Sequence, residues 1–180
     1  MYEVEVKARA RHGPVRERLR ELGADRLGAV VQADTYYDAP HRDFAVTDEA
    51  LRVRRETPTN GEGRAYLTYK GPLVDDEAKT REEAETPVAA DAAAAILEGL
   101  GFDAAAMVRK DRERYALAGY TIALDDVEGL GEFVEVETET DSGLDAARTG
   151  AFDVLDRLGL DPDAGIRTSY LGLVLSANDS

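Results

Sequence analysis

Residues 2–10 read Tyr-Glu-Val-Glu-Val-Lys-Ala-Arg-Ala, and no other feature limits the fold as tightly. Successive side chains of an extended strand point to opposite faces. Val4, Val6 and Ala8 therefore share one face, and Glu3, Glu5, Lys7 and Arg9 share the other. The same split recurs along the chain. Segment 50–56 sets Arg52 and Arg54 against Leu51 and Val53, and segment 64–70 places Lys70 with Thr68 and Tyr66. Segment 79–86 gives Arg81, Glu83 and Glu85; 107–117 gives Lys110 and Arg112; 120–127 gives Asp125. Segment 132–140 sets Glu135, Glu137 and Glu139 against Val134 and Val136. A single strand of this kind ordinarily shows its charged face to water, with cross-strand ion pairs worth about 0–1 kcal/mol each. Repetition over seven segments argues for the opposite arrangement. If the apolar faces look out toward packed helices, the charged faces line a closed barrel with a polar interior.

An eighth strand is read at 30–38, and helices at 14–23, 90–100 and 142–158, each closing at a Leu-Gly or Gly terminus. The stretch Ser-Tyr-Leu-Gly-Leu-Val-Leu-Ser from Ser169 fits a short strand or a helix. Pro40, Asn60-Gly61 and the polar stretch from Gly71 to Asp76 read as loops, and no linker divides the chain. The expectation is a single domain over 1–180 of the α+β class: an eight-stranded antiparallel β-barrel with flanking helices.

Composition narrows the chemistry. The chain has 22 Lys+Arg against 37 Asp+Glu, a net charge of −15, which argues against nonspecific binding to nucleic acid or to an anionic membrane. It contains no Cys, which excludes disulfides, zinc–thiolate sites and thiol nucleophiles, and its two His leave little for a serine triad. No apolar run approaches the ~20 residues of a membrane span, and the patterned start carries no leader, so a cytoplasmic location is expected. Lysine is scarce, as in acidic proteins of salt-rich cytosol: only Lys7, Lys70, Lys79 and Lys110 occur. Where lysine is scarce each one is expected to be placed for a reason, and Lys7, Lys70 and Lys110 fall on the charged face.

Gathering so many charges inside a barrel costs several kcal/mol per ion unless they are paired or ligated. Arginine forks and lysine point charges suit a polyanion such as a triphosphate. Carboxylates beside them would repel it unless a divalent cation intervened, and hard oxygen donors suit Mg²⁺ or Mn²⁺. The nucleophile is then an activated water or a substrate hydroxyl. No Gly-x-x-x-x-Gly-Lys-Ser/Thr loop is present, which excludes P-loop chemistry. Glu135 and Glu137, two residues apart on one strand, lie within about 7 Å and repel each other without a cation. The alternative is that they pair across the sheet with Lys110 and Arg112.

The run Glu3-x-Glu5-x-Lys7 resembles the ExExK signature of the CYTH family, the triphosphate tunnel metalloenzymes. Further motifs follow in order: QxDTYYD at 32–38, RDFAxTDEALRVR at 42–54, LTYKGP at 67–72, RxExE at 81–85, KxR at 110–112, DxVEGLGEFVEVE at 125–137 and SY at 169–170. The resemblance covers nearly the whole chain and is nearest the class IV adenylate cyclase branch. It implies an eight-stranded tunnel and metal binding by Glu3, Glu5, Glu83, Asp125, Glu135 and Glu137. It implies that Lys7, Arg52, Arg54, Lys70, Arg81, Lys110 and Arg112 hold the triphosphate, with Lys7, Arg52, Arg54, Lys110 and Arg112 also catalytic. Glu85 is expected to pair with Arg81, and Tyr36, Tyr37 and Tyr66 to be core aromatics or, alternatively, to touch a base. The expected reaction is ATP to cyclic AMP and pyrophosphate with Mg²⁺ or Mn²⁺. The alternatives are hydrolysis of thiamine triphosphate, tripolyphosphate or nucleotides, and polyphosphate or nucleotide binding without turnover. A homodimer is the expected assembly.

Overall fold

The alternating segments close on themselves. The computed structural model describes residues 1–74 and 78–178, so Asp75 and Asp76 of the loop read over 71–76 lie outside the described residues. The strands are β1 (Tyr2–Arg9), β2 (Asp25–Asp38), β3 (Ala50–Pro58), β4 (Arg64–Lys70), β5 (Lys79–Pro87), β6 (Asp103–Leu117), β7 (Tyr120–Val127) and β8 (Gly131–Thr140). They form a closed antiparallel barrel in the order β1-β5-β4-β3-β2-β6-β7-β8, with β8 returning to pair with β1 along its length. The helices are α1 (His12–Glu21), α2 (Phe44–Thr47), α3 (Ala90–Gly99), α4 (Leu144–Arg157) and α5 (Tyr170–Asn178). Among the described residues no helix is long and apolar enough to cross a membrane.

The apolar strand faces look outward, as the alternation requires. Val4, Val6 and Ala8 pack with Ile122, Leu124, Val134 and Val136 beneath Val15 and Leu19 of α1 and Val154, Leu155 and Leu158 of α4. Ala90, Ala93 and Leu97 of α3 cover Leu51 and Val53 beside Tyr37 and Phe44. Each buried Val or Leu contributes about 1.5–3 kcal/mol, so the helices hold the wall from outside and leave the interior to charge. A third cluster lies inside, where Tyr36, Val108, Val127 and Phe133 meet Tyr170, with Leu171, Leu173 and Val174 of α5 against them. The lumen therefore changes from charged to apolar at the end where α5 packs. The open reading of the Tyr170 stretch resolves as this helix.

Three local differences from the sequence reading have physical causes. Strands β2 and β6 are longer than 30–38 and 107–117 because they pair from Asp25 to Ala116 and on to Asp38 with Asp103, and sheet pairing overrides the weak strand preference of Ala104–Ala106. A bulge between Arg26 and Gly28 lets Gly28 take φ 133°, open only to glycine. Helix α2 is a single turn capped by Asp43, whose carboxylate accepts from Ala45 N at 2.9 Å, too short to leave a periodic signal. Pairing of β1 with β5 stops at Glu5, and beyond it Ile166 N donates to Lys7 O at 2.7 Å, so the segment after α4 completes the wall.

Candidate active site

The charged faces named above turn into the barrel, and apart from exposed Arg9 and fully buried Asp125 their residues line a cavity of about 1380 Å³. All four lysines line it, including Lys79, which the sequence reading left off the charged face although it stands two residues before Arg81. Burial pushes the Lys79 ammonium down to about 8, with Lys7 and Arg81 adding to the effect and Glu5 opposing it.

The basic wall is built around two buried aspartates. Asp34 of β2 accepts from Arg54 Nε and Nη2, both at 2.7 Å, and from Arg52 Nη1 at 3.5 Å. Burial alone would raise its carboxyl, but the two guanidiniums hold it well below the usual range. Arg52 and Arg54 thus share the lumen, as residues i and i+2 of one strand must. Asp125 of β7 is wholly buried and takes Lys110 Nζ at 2.9 Å, Arg112 Nε at 2.7 Å, Arg112 Nη2 at 2.6 Å and the Tyr170 hydroxyl at 3.0 Å. Arg112 also donates to Glu135, whose other side faces Lys7 Nζ at 3.6 Å. Despite its burial the Glu135 carboxyl is held well below its ordinary value by Lys110, Arg112 and Lys7.

The acidic wall is different. Glu3, Glu5 and Glu137 each bring a carboxylate oxygen to a common point, all within 4.8 Å of one another. Register explains the meeting: Glu5 stands opposite Glu137 across β1 and β8, and Glu3 is one inward position away. Lys70 pairs with Glu3 and, at 2.8 Å, with Glu83. Among the described residues Glu137 pairs with Arg112 Nη1 at 3.6 Å, and its carboxyl is pushed up to about 7 by burial and by Glu3, Glu135 and Glu5, against the pull of Arg112. A trio of hard oxygen donors, Glu5 buried and facing Lys7 Nζ at 3.5 Å, Glu3 and Glu137 half-buried, fits a divalent ion. Of the six carboxylates expected to hold metal, Glu3, Glu5 and Glu137 come together. Asp125 and Glu135 stand among the bases and Glu83 beside Lys70; the expected repulsion between Glu135 and Glu137 persists at Glu137, while both also meet Arg112, as the cross-sheet alternative has it.

Two further expectations are corrected. Arg81 donates to Asp48 O at 2.6 Å and pairs with Asp48 Oδ2 at 3.2 Å, clamping the turn between α2 and β3; Glu85 instead accepts from Thr68 Oγ1 at 2.8 Å. Tyr36 and Tyr37 are buried aromatics, Tyr66 is half-buried rather than core, and all three line the cavity. The sequence reading also missed Asp34, Arg114 and Tyr170. Asp34 shares a face with Gln32 and Tyr36, and Arg114 follows Arg112 by two, so alternation could have found both. Tyr170 closes the Ser-Tyr motif quoted above, but nothing local assigns it a role. Arg52 Nε lies buried without an acceptor among the described residues, a donor suited to an incoming anion.

The family profile described as CYTH domain matches residues 1–170. The chain is 37% identical over 177 residues to MJ0240 of Methanocaldococcus jannaschii, whose name carries a provisional adenylate cyclase assignment, with 96% of this chain and 98% of that protein covered. It is 31% identical over 131 residues to adenylate cyclase CyaB of Aeromonas hydrophila, covering 72% and 64% respectively. Among solved structures, the PH1819 protein of Pyrococcus horikoshii superposes with a TM-score of 0.90 at 39% identity, covering 97% of this chain and 99% of that one.

Proposed function

The chain belongs to the CYTH domain family, and on that premise we propose that it is a divalent-metal-dependent enzyme converting ATP to cyclic AMP and pyrophosphate. In this reaction the ribose 3′ oxygen bonds to the α-phosphorus, the bond to the β-phosphate oxygen breaks, and the hydroxyl proton is released. The names of the two adenylate cyclase relatives support this reading. Its main support is the extent of the cavity, which runs past the charged lining to Pro40, Phe44, Ala45, Leu171 and Leu175. A charged section holds a triphosphate; the apolar continuation gives an adjoining base a surface to rest on.

Lys7, Arg52, Arg54, Lys70, Lys110 and Arg112 are the groups that bind and orient the phosphates. Asp34 occupies one edge of Arg54 and leaves its other N–H groups for phosphate oxygens. Arginines already fixed by buried aspartates need not reorganise as charge builds on the departing pyrophosphate. Glu3, Glu5 and Glu137 would hold Mg²⁺ or Mn²⁺. A divalent ion so bound supplies positive charge to phosphate oxygens. A second reading, release of terminal phosphate from tripolyphosphate or thiamine triphosphate, is favoured by the charged section being sufficient for the phosphate chain by itself.

The test offers ATP, thiamine triphosphate and tripolyphosphate separately to purified protein with Mn²⁺. Cyclic AMP and pyrophosphate in equal amounts from ATP is the expected result. Phosphate release without a cyclic product replaces the cyclase reading by the second. Saturable binding of all three without products leaves only a binding module.

A further inference from the structure

The closing Ser-Tyr motif has no part in the chemistry above, yet Tyr170 reaches deeper into the lumen than its place at the start of α5 suggests. Its ring centroid lies 4.2 Å from Lys7 Nζ and 4.7 Å from Lys110 Nζ, and its hydroxyl donates to Asp125 at 3.0 Å. Phe133 meets the same ring edge-on at 5.1 Å, which fixes its tilt. Lys7 stands on β1 and Lys110 on β6, strands that do not pair with each other. One aromatic side chain from a helix therefore touches two phosphate-binding ammoniums from separate parts of the wall, together with the carboxylate that anchors Arg112.

We propose that Tyr170 is a positioning residue for phosphate binding: its ring holds Lys7 and Lys110 at the end of the tunnel where α5 packs, and its hydroxyl orders Asp125. This rests on the reading of the lumen as a triphosphate site. A lysine stem has several rotatable bonds, and an ammonium left to wander loses its fixed distance to a phosphate oxygen. An electron-rich ring face attracts the ammonium, most strongly where water is excluded, without neutralising it as a carboxylate does. Lys110 also meets Asp125 at 2.9 Å and Lys7 meets Glu5 and Glu135 at 3.5 and 3.6 Å, and the ring adds direction to both without a further negative charge. Asp125 retains three donors from Lys110 and Arg112 without the hydroxyl, so the ring carries most of the effect and the hydroxyl less.

The scarcity of lysine makes the test readable. With ¹³C-labelled lysine the protein gives four ε-methylene signals, and the aromatic ring should move those of Lys7 and Lys110 upfield. Tyr170→Phe should keep the displaced signals, and Tyr170→Leu should return them to the ordinary position. Metal-free titration with tripolyphosphate should then show Tyr170→Phe within about threefold of wild type and Tyr170→Leu weaker by about tenfold. The rise should appear in KM for the active substrate more than in kcat. Leu173→Ala serves as the control for α5, because Leu173 packs on the same apolar cluster without contacting either lysine. It should lower the melting temperature as Tyr170→Leu does and leave the lysine signals and affinity alone. If wild type binds no triphosphate, the site reading fails and the proposal with it. Wild-type binding with four undisplaced lysine signals, or with Leu173→Ala and Tyr170→Leu losing affinity alike, overturns the proposal and spares the site reading.

Discussion

Asp125 and Glu137 face the same lumen, and the protein treats their charges in opposite ways. Asp125 is met by Lys110, by two N–H groups of Arg112 and by Tyr170, and its carboxyl stays below the ordinary value despite burial. Glu137 meets one guanidinium at 3.6 Å and two other glutamates, and its carboxyl rises to about 7. The basic wall is balanced within the chain, by aspartates that fix arginines in place. The acidic wall gathers three carboxylates at one point, where on the proposed function a divalent cation would balance them. Pre-organisation and ligand dependence thus occur a few ångströms apart, separated by which carboxylates the strand register places beside a base.

The contrast can be tested from its strongest side first. Asp125→Ala leaves Lys110 and Arg112 buried without their main partner and should cost about 3–5 kcal/mol, read by urea denaturation. A loss below about 1 kcal/mol would mean the basic wall is not held from within. Glu135→Gln weakens the contacts to Arg112 and Lys7 and should cost about 1.5–3 kcal/mol, with Mn²⁺ affinity the less affected property. Glu137→Gln should act in the opposite sense, raising metal-free stability at pH 8 by about 1 kcal/mol after allowance for its partial exposure, and abolishing tight Mn²⁺ binding.

The sign of that effect depends on pH. A carboxyl raised to about 7 contributes stability in full below its unfolded value near 4.5 and loses it as pH rises through 7. Wild type and Glu137→Gln should therefore melt most alike below pH 4.5 and separate by pH 8. Mn²⁺ must displace the same proton, so its affinity should rise up to tenfold per unit toward pH 7 and then level off. A flat affinity from pH 5 to 8 would remove Glu137 from the metal set. Smallest is the outer surface: Arg55 pairs with Asp91 at 2.6 Å in full solvent, and Arg55→Gln should change stability by less than about 0.5 kcal/mol.

The barrel and most of its lining were legible because a period of two survives in the residue order wherever one face is apolar. Leu51, Val53, Val134 and Val136 mark the outside and thereby mark Arg52, Arg54, Glu135 and Glu137 as inside. Asp34 was lost because its strand mixes Gln, Ala, Thr and Tyr, and polar residues outside blur the pattern. Glu83 and Glu137 look alike in sequence, but only register distinguishes the one facing Lys70 from the one facing other glutamates. The role of Tyr170 depends on where α5 docks, a long-range fact that no local window contains.

The closure of the wall at β1 has a consequence for how the protein is made. Residues 2–9 pair with β5 and β8, receive a bond from Ile166 at Lys7 O, and meet Tyr170 through Lys7. At about 5–20 residues per second on the ribosome, β1 is exposed for roughly 10–30 s before its last partners emerge. An unpaired strand carrying Val4 and Val6 is a template for joining a neighbouring nascent chain. Glu3, Glu5, Lys7 and Arg9 alternate with those valines and oppose such stacking. The charges assigned above to a metal ion and a phosphate also act earlier, as gatekeepers that keep the strand soluble while it waits.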